Sequence, residues 1–270
     1  MVNASIVIYK HAVHEIEPLV QTLRKSNMIS EIYLLDNSPE YNSDFEALPA
    51  IYIFNHQNIG YGRAHNIALR QSQQQATDYH LVVNPDIRFD SDIIGKIVEF
   101  MDKNTEIGHL MPQVFYPDGR IQYLCKLLPT PDDLLFRRFL PGSWTIKKTA
   151  RFEMHDCGYN KLTDVPYLSG CFMFLRVSAL NATGIFDERF FLYPEDIDLS
   201  RRIHQKYRTV FYPDVSVVHY HERGSYKSLK MMLIHIINLI RYFNKWGWFC
   251  DKERKKINKQ IIKQYLCTSA

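Results

Sequence analysis

The chain has 270 residues, 46% of them hydrophobic and 23% charged, with a formal net charge of +4. That length carries one large α/β domain or two small ones, and the composition is ordinary for a folded soluble protein. The charge is too mild to argue for nucleic acid as a partner, and no stretch reaches the roughly 20 apolar residues that a membrane span requires. The five cysteines are odd in number and scattered, without a C-x-x-C pair. Neither a disulfide framework nor a zinc site fits them, and a reducing, cytoplasmic setting is expected. Ser5 to Tyr9 reads as a buried strand with no basic flank or cleavage site, so no signal peptide is expected.

The first half alternates between short apolar runs and amphipathic stretches. Ser5 to Tyr9, Glu31 to Leu35, Ile51 to Phe54 and His80 to Val83 read as strands. Glu15 to Lys25, Tyr61 to Gln74 and Ser91 to Lys103 read as helices, with Ser91 as an N-cap. This alternation predicts a mostly parallel sheet with helices on both faces. In such sheets ligands bind at the carboxyl ends of the strands. Asp36, Asn55 to Asn58 and Asn84-Pro85-Asp86 follow strands directly, so they are expected along one edge. Tyr116 to Pro166, rich in proline, breaks the rhythm as an insertion lobe or acceptor-side lid, or equally as a plain surface excursion. Cys171 to Leu175 reads as a strand, Asp196 to Gln205 as a helix, and Thr209 to Tyr212 and Val215 to His219 as strands.

Three clusters could carry chemistry. Asn84-Pro85-Asp86 ends a buried strand, where a carboxylate could hold a hard divalent cation with diphosphate oxygens; the same residues also make a good turn. Glu195-Asp196-Ile197-Asp198 puts three carboxylates into one helical turn. The helix dipole favours acids there, yet capping needs fewer, and one could act as a general base. His219-Tyr220-His221 places both imidazoles on one side of an extended backbone, a weak metal-ligand signal. Arg223 and Ser225 follow in a turn that could receive phosphate. Asn58 to Asn66 has a superficial dinucleotide pattern, but its third glycine would fall on His65, which argues against a dehydrogenase. No P-loop and no G-x-S-x-G elbow exist.

Taken in order, these segments resemble the glycosyltransferase family 2 enzymes of the GT-A fold, in the bacterial rhamnosyltransferase-like branch that builds surface polysaccharides. The resemblance is carried by Ile6 to Tyr9, Leu35 to Ser38, Asn58 to Asn66, Asn84 to Asp86, Ser169 to Met173, Gly184 to Phe191, Glu195 to Leu199 and His219 to His221. It implies a Rossmann-like α/β fold and inverting transfer of a sugar from a nucleotide-diphosphate donor, dTDP- or UDP-linked, to a glycan acceptor, lipid-linked in this branch. It implies Asp196 as catalytic base, and Tyr9, Asp36, Asn58, Arg63, Asn66 and Asn84 around the donor nucleotide, with Arg63 and Asn66 near Asp36. Asp86, His219 and His221 would hold Mg2+ or Mn2+, and Arg223 and Ser225 the phosphates. Gly170, Asp187, Glu188, Tyr193 and Glu195 would lie on the acceptor or sugar side. Asn84 stands where the family's D-x-D motif has its first aspartate. The alternative is a non-catalytic sugar-nucleotide or glycan binding module on the same fold, which would need neither Asp86 nor Asp196.

The expected boundaries are a catalytic domain over 1–225, containing the 116–166 lobe, and a C-terminal basic helical extension over 226–270. From Lys227 to Lys263 ten basic residues face only Asp251 and Glu253. Leu229, Met232, Leu233, Ile236, Ile237, Ile240 and Phe243 share one helical stripe. That stripe either packs on the core or lies on an anionic membrane, on the cytoplasmic face of the inner membrane.

Overall fold

The computed structural model describes residues 1–136, 142–220 and 229–268. Four strands open the sheet: β1 (Val2–Ile8), β2 (Ile29–Asp36), β3 (Ile51–Phe54) and β4 (Tyr79–Val83). They pair in parallel, with β1 between β2 and β4 and β3 outside β2. Parallel strands need crossovers, which α1 (Val13–Arg24) and α2 (Tyr61–Gln74) supply. Helix α1 buries Ile16, Leu19, Val20 and Leu23, the period expected of one apolar face.

The chain then runs through β5 (Ile87–Arg88), α3 (Asp92–Lys103), β6 (Ile107–Phe115), β7 (Cys125–Lys126), α4 (Gly142–Phe152), β8 (Thr163–Asp164), β9 (Tyr167–Leu168), β10 (Phe172–Arg176), α5 (Val177–Thr183), α6 (Glu195–His204) and β11 (Arg208–His219). The large sheet has the order β3-β2-β1-β4-β10-β6-β11-β5, with β8 also on β11. Strand β10 enters antiparallel to both β4 and β6, while β11 runs parallel to β6. The α/β sheet expected from the sequence is therefore present, with its parallel order interrupted by β10 near the middle and ended by β5 and β8, which run antiparallel to β11. Ser91 does not cap α3: it is itself helical in backbone conformation and makes no side-chain cap bond.

A polar seam joins α2 to the sheet. Ser5 Oγ lies 2.7 Å from His65 Nδ1 and 2.8 Å from His80 Nε2, and Ser72 Oγ lies 2.7 Å from His80 Nδ1. Burial holds both imidazoles well below their ordinary pKa, so they are neutral partners. His65, which spoils the dinucleotide pattern, thus seats α2 on β1.

The 116–166 segment is not a plain surface excursion. Cys125, Leu127, Leu128, Phe152 and Tyr159 are buried in a second core with Phe190, Ile197 and Phe211. The C-terminal helices α7 (Leu229–Trp246) and α8 (Lys252–Thr268) close this core with Tyr242, Phe243 and Ile261. The stripe expected on α7 is only partly buried: Phe243 lies inside and Met232 and Ile236 are half-buried. Asn238, Leu239, Tyr242 and Phe243 turn inward, while Leu233, Ile237 and Ile240 are exposed. Polar anchors choose the face: Asn238 Nδ2 donates to Leu192 O at 3.0 Å, and Trp246 Nε1 to Asp198 Oδ1 at 2.8 Å. Among the described residues no helix is long and apolar enough to cross a membrane.

One buried cluster ties the extension to α6. Arg201, 1% exposed, donates to both Asp251 oxygens at 2.7 and 2.9 Å and to Glu253 Oε2 at 2.7 Å. Its guanidinium stacks 4.1 Å from the Trp246 ring. Removing one partner of such a pair strands a buried charge, whereas replacing both with apolar groups does not. Asp251→Ala is therefore expected to cost about 3 kcal/mol, and Arg201→Met with Asp251→Leu far less. Urea unfolding of the two variants checks this, and equal losses contradict it.

Candidate active site

The carboxyl ends of β1, β2 and β4 meet the N-termini of α2 and α6. Gly60 makes this meeting possible: its φ is +92°, and a Cβ there would lie 2.4 Å from Phe191 O. The Tyr61 N–H then donates to Phe191 O at 2.9 Å, and the Tyr61 ring is directed inward. Its hydroxyl lies 3.0 Å from Asn84 Oδ1 and 2.8 Å from Gly170 O. Gly170 in turn donates its N–H to Asp196 Oδ2 at 3.1 Å, and the Tyr167 hydroxyl donates to the same oxygen at 3.2 Å. A Cβ at Gly170 would lie 3.2 Å from Asp196 Cβ, so the loop approaches α6 more closely than most side chains allow. One chain of contacts thus runs from the end of β4 to the first turn of α6.

The electrostatics at Tyr61 follow from the same convergence. Burial holds the Tyr61 hydroxyl far above its ordinary pKa, and the charges of Glu195, Asp196 and Asp86 push it the same way. The two acidic clusters, more than a hundred positions apart in sequence, therefore act on one side chain.

Glu195 and Asp196 are 3% and 6% exposed. Burial raises both carboxyls above the usual range, and Asp196 adds to the rise at Glu195. Lys126 and the donors Gly170 N–H, Ile197 N–H and Tyr167 O–H draw Asp196 back down. Glu195 Oε2 is buried without a hydrogen-bond partner. Asp196 is accordingly the member that ionises first. Asp198 is different: Arg202 Nε at 2.9 Å, Lys245 Nζ at 2.6 Å and Trp246 Nε1 at 2.8 Å saturate its carboxylate, making it the anchor of α6.

At the other end of the site Asp86 Oδ1 lies 3.2 Å from His219 Nε2. Strand β5 pairs with the end of β11, which sets the two side by side. Gln122 fixes the ring: its Oε1 is 3.0 Å from His219 Nδ1, and its Nε2 donates to His219 O at 3.0 Å. With Nδ1 occupied, Nε2 is the nitrogen turned toward Asp86, as metal-binding histidines are oriented. Among the described residues no group of three or more His, Cys, Asp or Glu is arranged to hold a metal. Two protein donors suit a divalent ion that arrives with a diphosphate rather than a resident one.

The remaining expected residues divide. Tyr9 and Asn58 are exposed beside the strand ends, and Asn58 Oδ1 accepts the Gly60 N–H at 3.0 Å. Asp36 is fully buried, its oxygens taken by Ser38 N–H and the Tyr52 hydroxyl, each at 2.7 Å. It shapes the turn after β2 instead of lying open to a base. Asn66 is bonded to the 186–188 loop. It is buried and exchanges hydrogen bonds with Phe186 N and O at 3.0 and 2.9 Å. Arg63 and Arg70 both pair with Glu188, so this face of α2 meets the 186–188 loop rather than Asp36. Asp187 is likewise taken, by Arg189 at 2.9 Å and Lys245 at 2.8 Å. Asp187 and Glu188 tie the loop down through these ion pairs. Tyr193 is exposed and stacks on His235 with ring centroids 5.4 Å apart. His221, Arg223 and Ser225 lie outside the described residues. Sequence reasoning missed Tyr61, Tyr167, Gln122 and Lys126. Only Tyr61, set between two glycines at a helix start, carried a local signal.

Residues 5–184 match the model of the family described as glycosyl transferase family 2. The chain belongs to that family. It is 28% identical over 178 residues to N-acetylglucosaminyl-diphospho-decaprenol L-rhamnosyltransferase of Mycobacterium tuberculosis, over 60% of this chain and 56% of the relative. The match thus spans little more than half of that relative's length. The chain is also 26% identical over 192 residues to rhamnosyltransferase WbbL of Escherichia coli K12, covering 68% of this chain and 69% of that one. Among solved structures, GalNAc-T7 with UDP, GalNAc and Mn2+ superposes with a TM-score of 0.62 at 15% identity, over 91% of this chain and 48% of the other. Staphylococcus aureus TarS 1–349 with UDP-GlcNAc gives 0.60 at 13% identity, over 98% and 71%. These likenesses place the family 2 chain in the GT-A fold.

The buried acid pair has a consequence for stability. Both folded-state pKa values are raised, so both groups favour folding most at low pH, and that contribution is lost as pH rises through the folded values. Glu195→Gln removes one titration. It is expected to melt higher than the parent at pH 8, by roughly 2–4 °C per kcal/mol relieved, and at nearly the same temperature at pH 4. Thermal unfolding at the two pH values reads this out, and a parent chain more stable than the variant at pH 8 contradicts it.

Proposed function

We propose that this chain is an inverting glycosyltransferase that moves rhamnose or a related hexose from a dTDP- or UDP-linked donor to a lipid-linked glycan acceptor in bacterial surface polysaccharide synthesis. The observation that carries this reading is Asp196: a buried carboxylate with a raised pKa, held by Gly170 N–H and Tyr167 O–H in contact with the end of β4. A binding module has no use for such a group. A hydroxyl is a poor nucleophile at neutral pH, and a positioned base near the working pH can take its proton.

In this reading Asp196 takes the proton of the acceptor hydroxyl as its oxygen attacks the anomeric carbon from the face opposite the nucleotide. The bond to the diphosphate oxygen breaks and the leaving group carries away the electron pair. Asp86 and His219 would hold Mg2+ or Mn2+, which supplies positive charge against that leaving group. Tyr9, Asn58 and the turn shaped by Asp36 receive the nucleotide, and Asn84 orients the donor from the end of β4. Glu195, kept protonated beside Asp196, leaves a single negative charge at the transfer point. Gly170 and Tyr193 form the sugar and acceptor side.

The name of the mycobacterial relative joins L-rhamnose to a lipid-diphosphate acceptor, which supports the lipid-linked reading. So does the exposed apolar face of α7, because His235 on this helix stacks on Tyr193. Residues 1–225 would form the catalytic domain and 226–270 an extension that works at the cytoplasmic face of the inner membrane.

A melting screen of dTDP-, UDP- and GDP-sugars with and without Mn2+ tests the donor side, since ligands of the native state raise its stability. One donor is expected to stabilise the protein, and more so with the ion. Asp86→Ala is expected to lose the ion-dependent part of donor affinity, by about tenfold or more. Equal donor affinity with and without Mn2+ in the parent chain contradicts the metal role.

A further inference from the structure

A cleft of about 600 Å³ lies among the turn at Thr130–Asp132, the end of α4, the segment after α7, and α8. None of the residues gathered around Asp86 and Asp196 lines it. Its apolar surfaces are Pro131, Trp248, Phe249 and Ile262. Phe249 is 72% exposed, a large ring left uncovered on the cleft wall.

The walls are fixed by hydrogen bonds. Arg254, almost wholly buried, donates to Pro129 O at 3.1 Å and Trp248 O at 2.9 Å, joining the turn to the segment after α7. Asn258 exchanges both of its bonds with Leu128, each at 2.9 Å. Such a frame keeps the cleft open instead of letting it collapse onto its apolar lining.

The rim is cationic. Arg151, Lys255, Lys259 and Lys263 line the cleft and are exposed. The three lysines recur every four residues along α8, so they form one line on the helix. Among the described residues none of the three is paired with an acid. Among the described residues the one acid lining the rim, Asp132, is taken by Lys148 at 3.0 Å.

Apolar walls beside a row of free cations fit a ligand that is anionic at one end and greasy at the other. We propose that this cleft seats an anionic phospholipid of a bilayer, with the phosphate head on Lys255, Lys259 and Lys263 and the first part of the acyl chains against Trp248 and Phe249. The proposal rests on the membrane-facing part of the functional reading and not on the transfer chemistry. It assigns the contact to the cleft and α8 rather than to the apolar stripe of α7. A long polyanion such as RNA would use the lysine row but gain little from the apolar wall beside it.

The test is sedimentation of the full chain with phosphatidylcholine vesicles, with or without phosphatidylglycerol. Binding is expected only with the anionic lipid. The triple variant Lys255→Gln, Lys259→Gln, Lys263→Gln is expected to weaken it on the order of 100-fold, and Phe249→Ser about tenfold. A charge-matched triple on other surfaces, Lys25→Gln, Lys96→Gln, Lys103→Gln, is expected to bind like the parent. Unchanged melting temperature and donor affinity verify that the cleft variants are folded. No binding by the parent chain overturns the membrane reading as a whole. Binding that both triples reduce equally, or that Phe249→Ser leaves intact, overturns the cleft alone. Tighter binding to single-stranded RNA than to vesicles, lost in the cleft triple, assigns the lysine row to nucleic acid and overturns the lipid.

Discussion

Two carboxyl groups lie side by side, almost without solvent, in the first turn of α6. The contacts around α6 hold that turn in place. A buried acid left to itself would take up a proton or pull its helix toward water. Here the dipole of α6, two backbone N–H groups and the Tyr167 hydroxyl favour the charge on Asp196. The same helix is gripped from behind through Asp198 in that turn and Arg201 in the next. The front of α6 is thereby free to carry unfavourable charge, because its back is fastened by favourable charge.

That division explains the C-terminal extension. Trp246 touches both anchors, donating to Asp198 and stacking on Arg201. Asp251 and Glu253, the only acids opposing the basic tail, are the two that Arg201 binds. The tail is not an appendage carrying a surplus of lysine. Its acids are turned inward to α6, and the lysines of α8 are left facing out. The extension thus fastens α6 on one side and presents a row of lysines on the other.

Much of the site was legible because acids at strand ends and helix starts are local facts. Asp86 after β4, Glu195 and Asp196 opening α6, and Asp198 as the anchor could all be read from their neighbours in sequence. Tyr167 and Gln122 could not, because each acts on a residue far away in the chain, and at Tyr61 the flanking glycines mark the position without naming its partners. Strand β6 was missed because Gly108, His109 and Pro112 break its apolar pattern. Pro112 pairs where β11 bulges, so the missing N–H does no harm there. The stripe on α7 failed for the opposite reason. Its apolar period was real, but Asn238 and Trp246 fix the helix by hydrogen bonds and leave half of that stripe outside. Asn66 and Glu188 looked like ligand residues because polar side chains in a motif invite that reading. They are polar because two backbone segments meet there and need bonding.

The central claim is that Asp196 is the base and that its neighbours exist to keep it ionisable yet dry. Asp196→Asn tests it most directly, since the amide keeps the size of the side chain and cannot accept the proton. Sugar transfer is expected to fall on the order of 10²–10⁴-fold, with donor affinity and melting temperature preserved. Transfer at the parent rate in a folded, donor-binding Asp196→Asn chain would contradict the account.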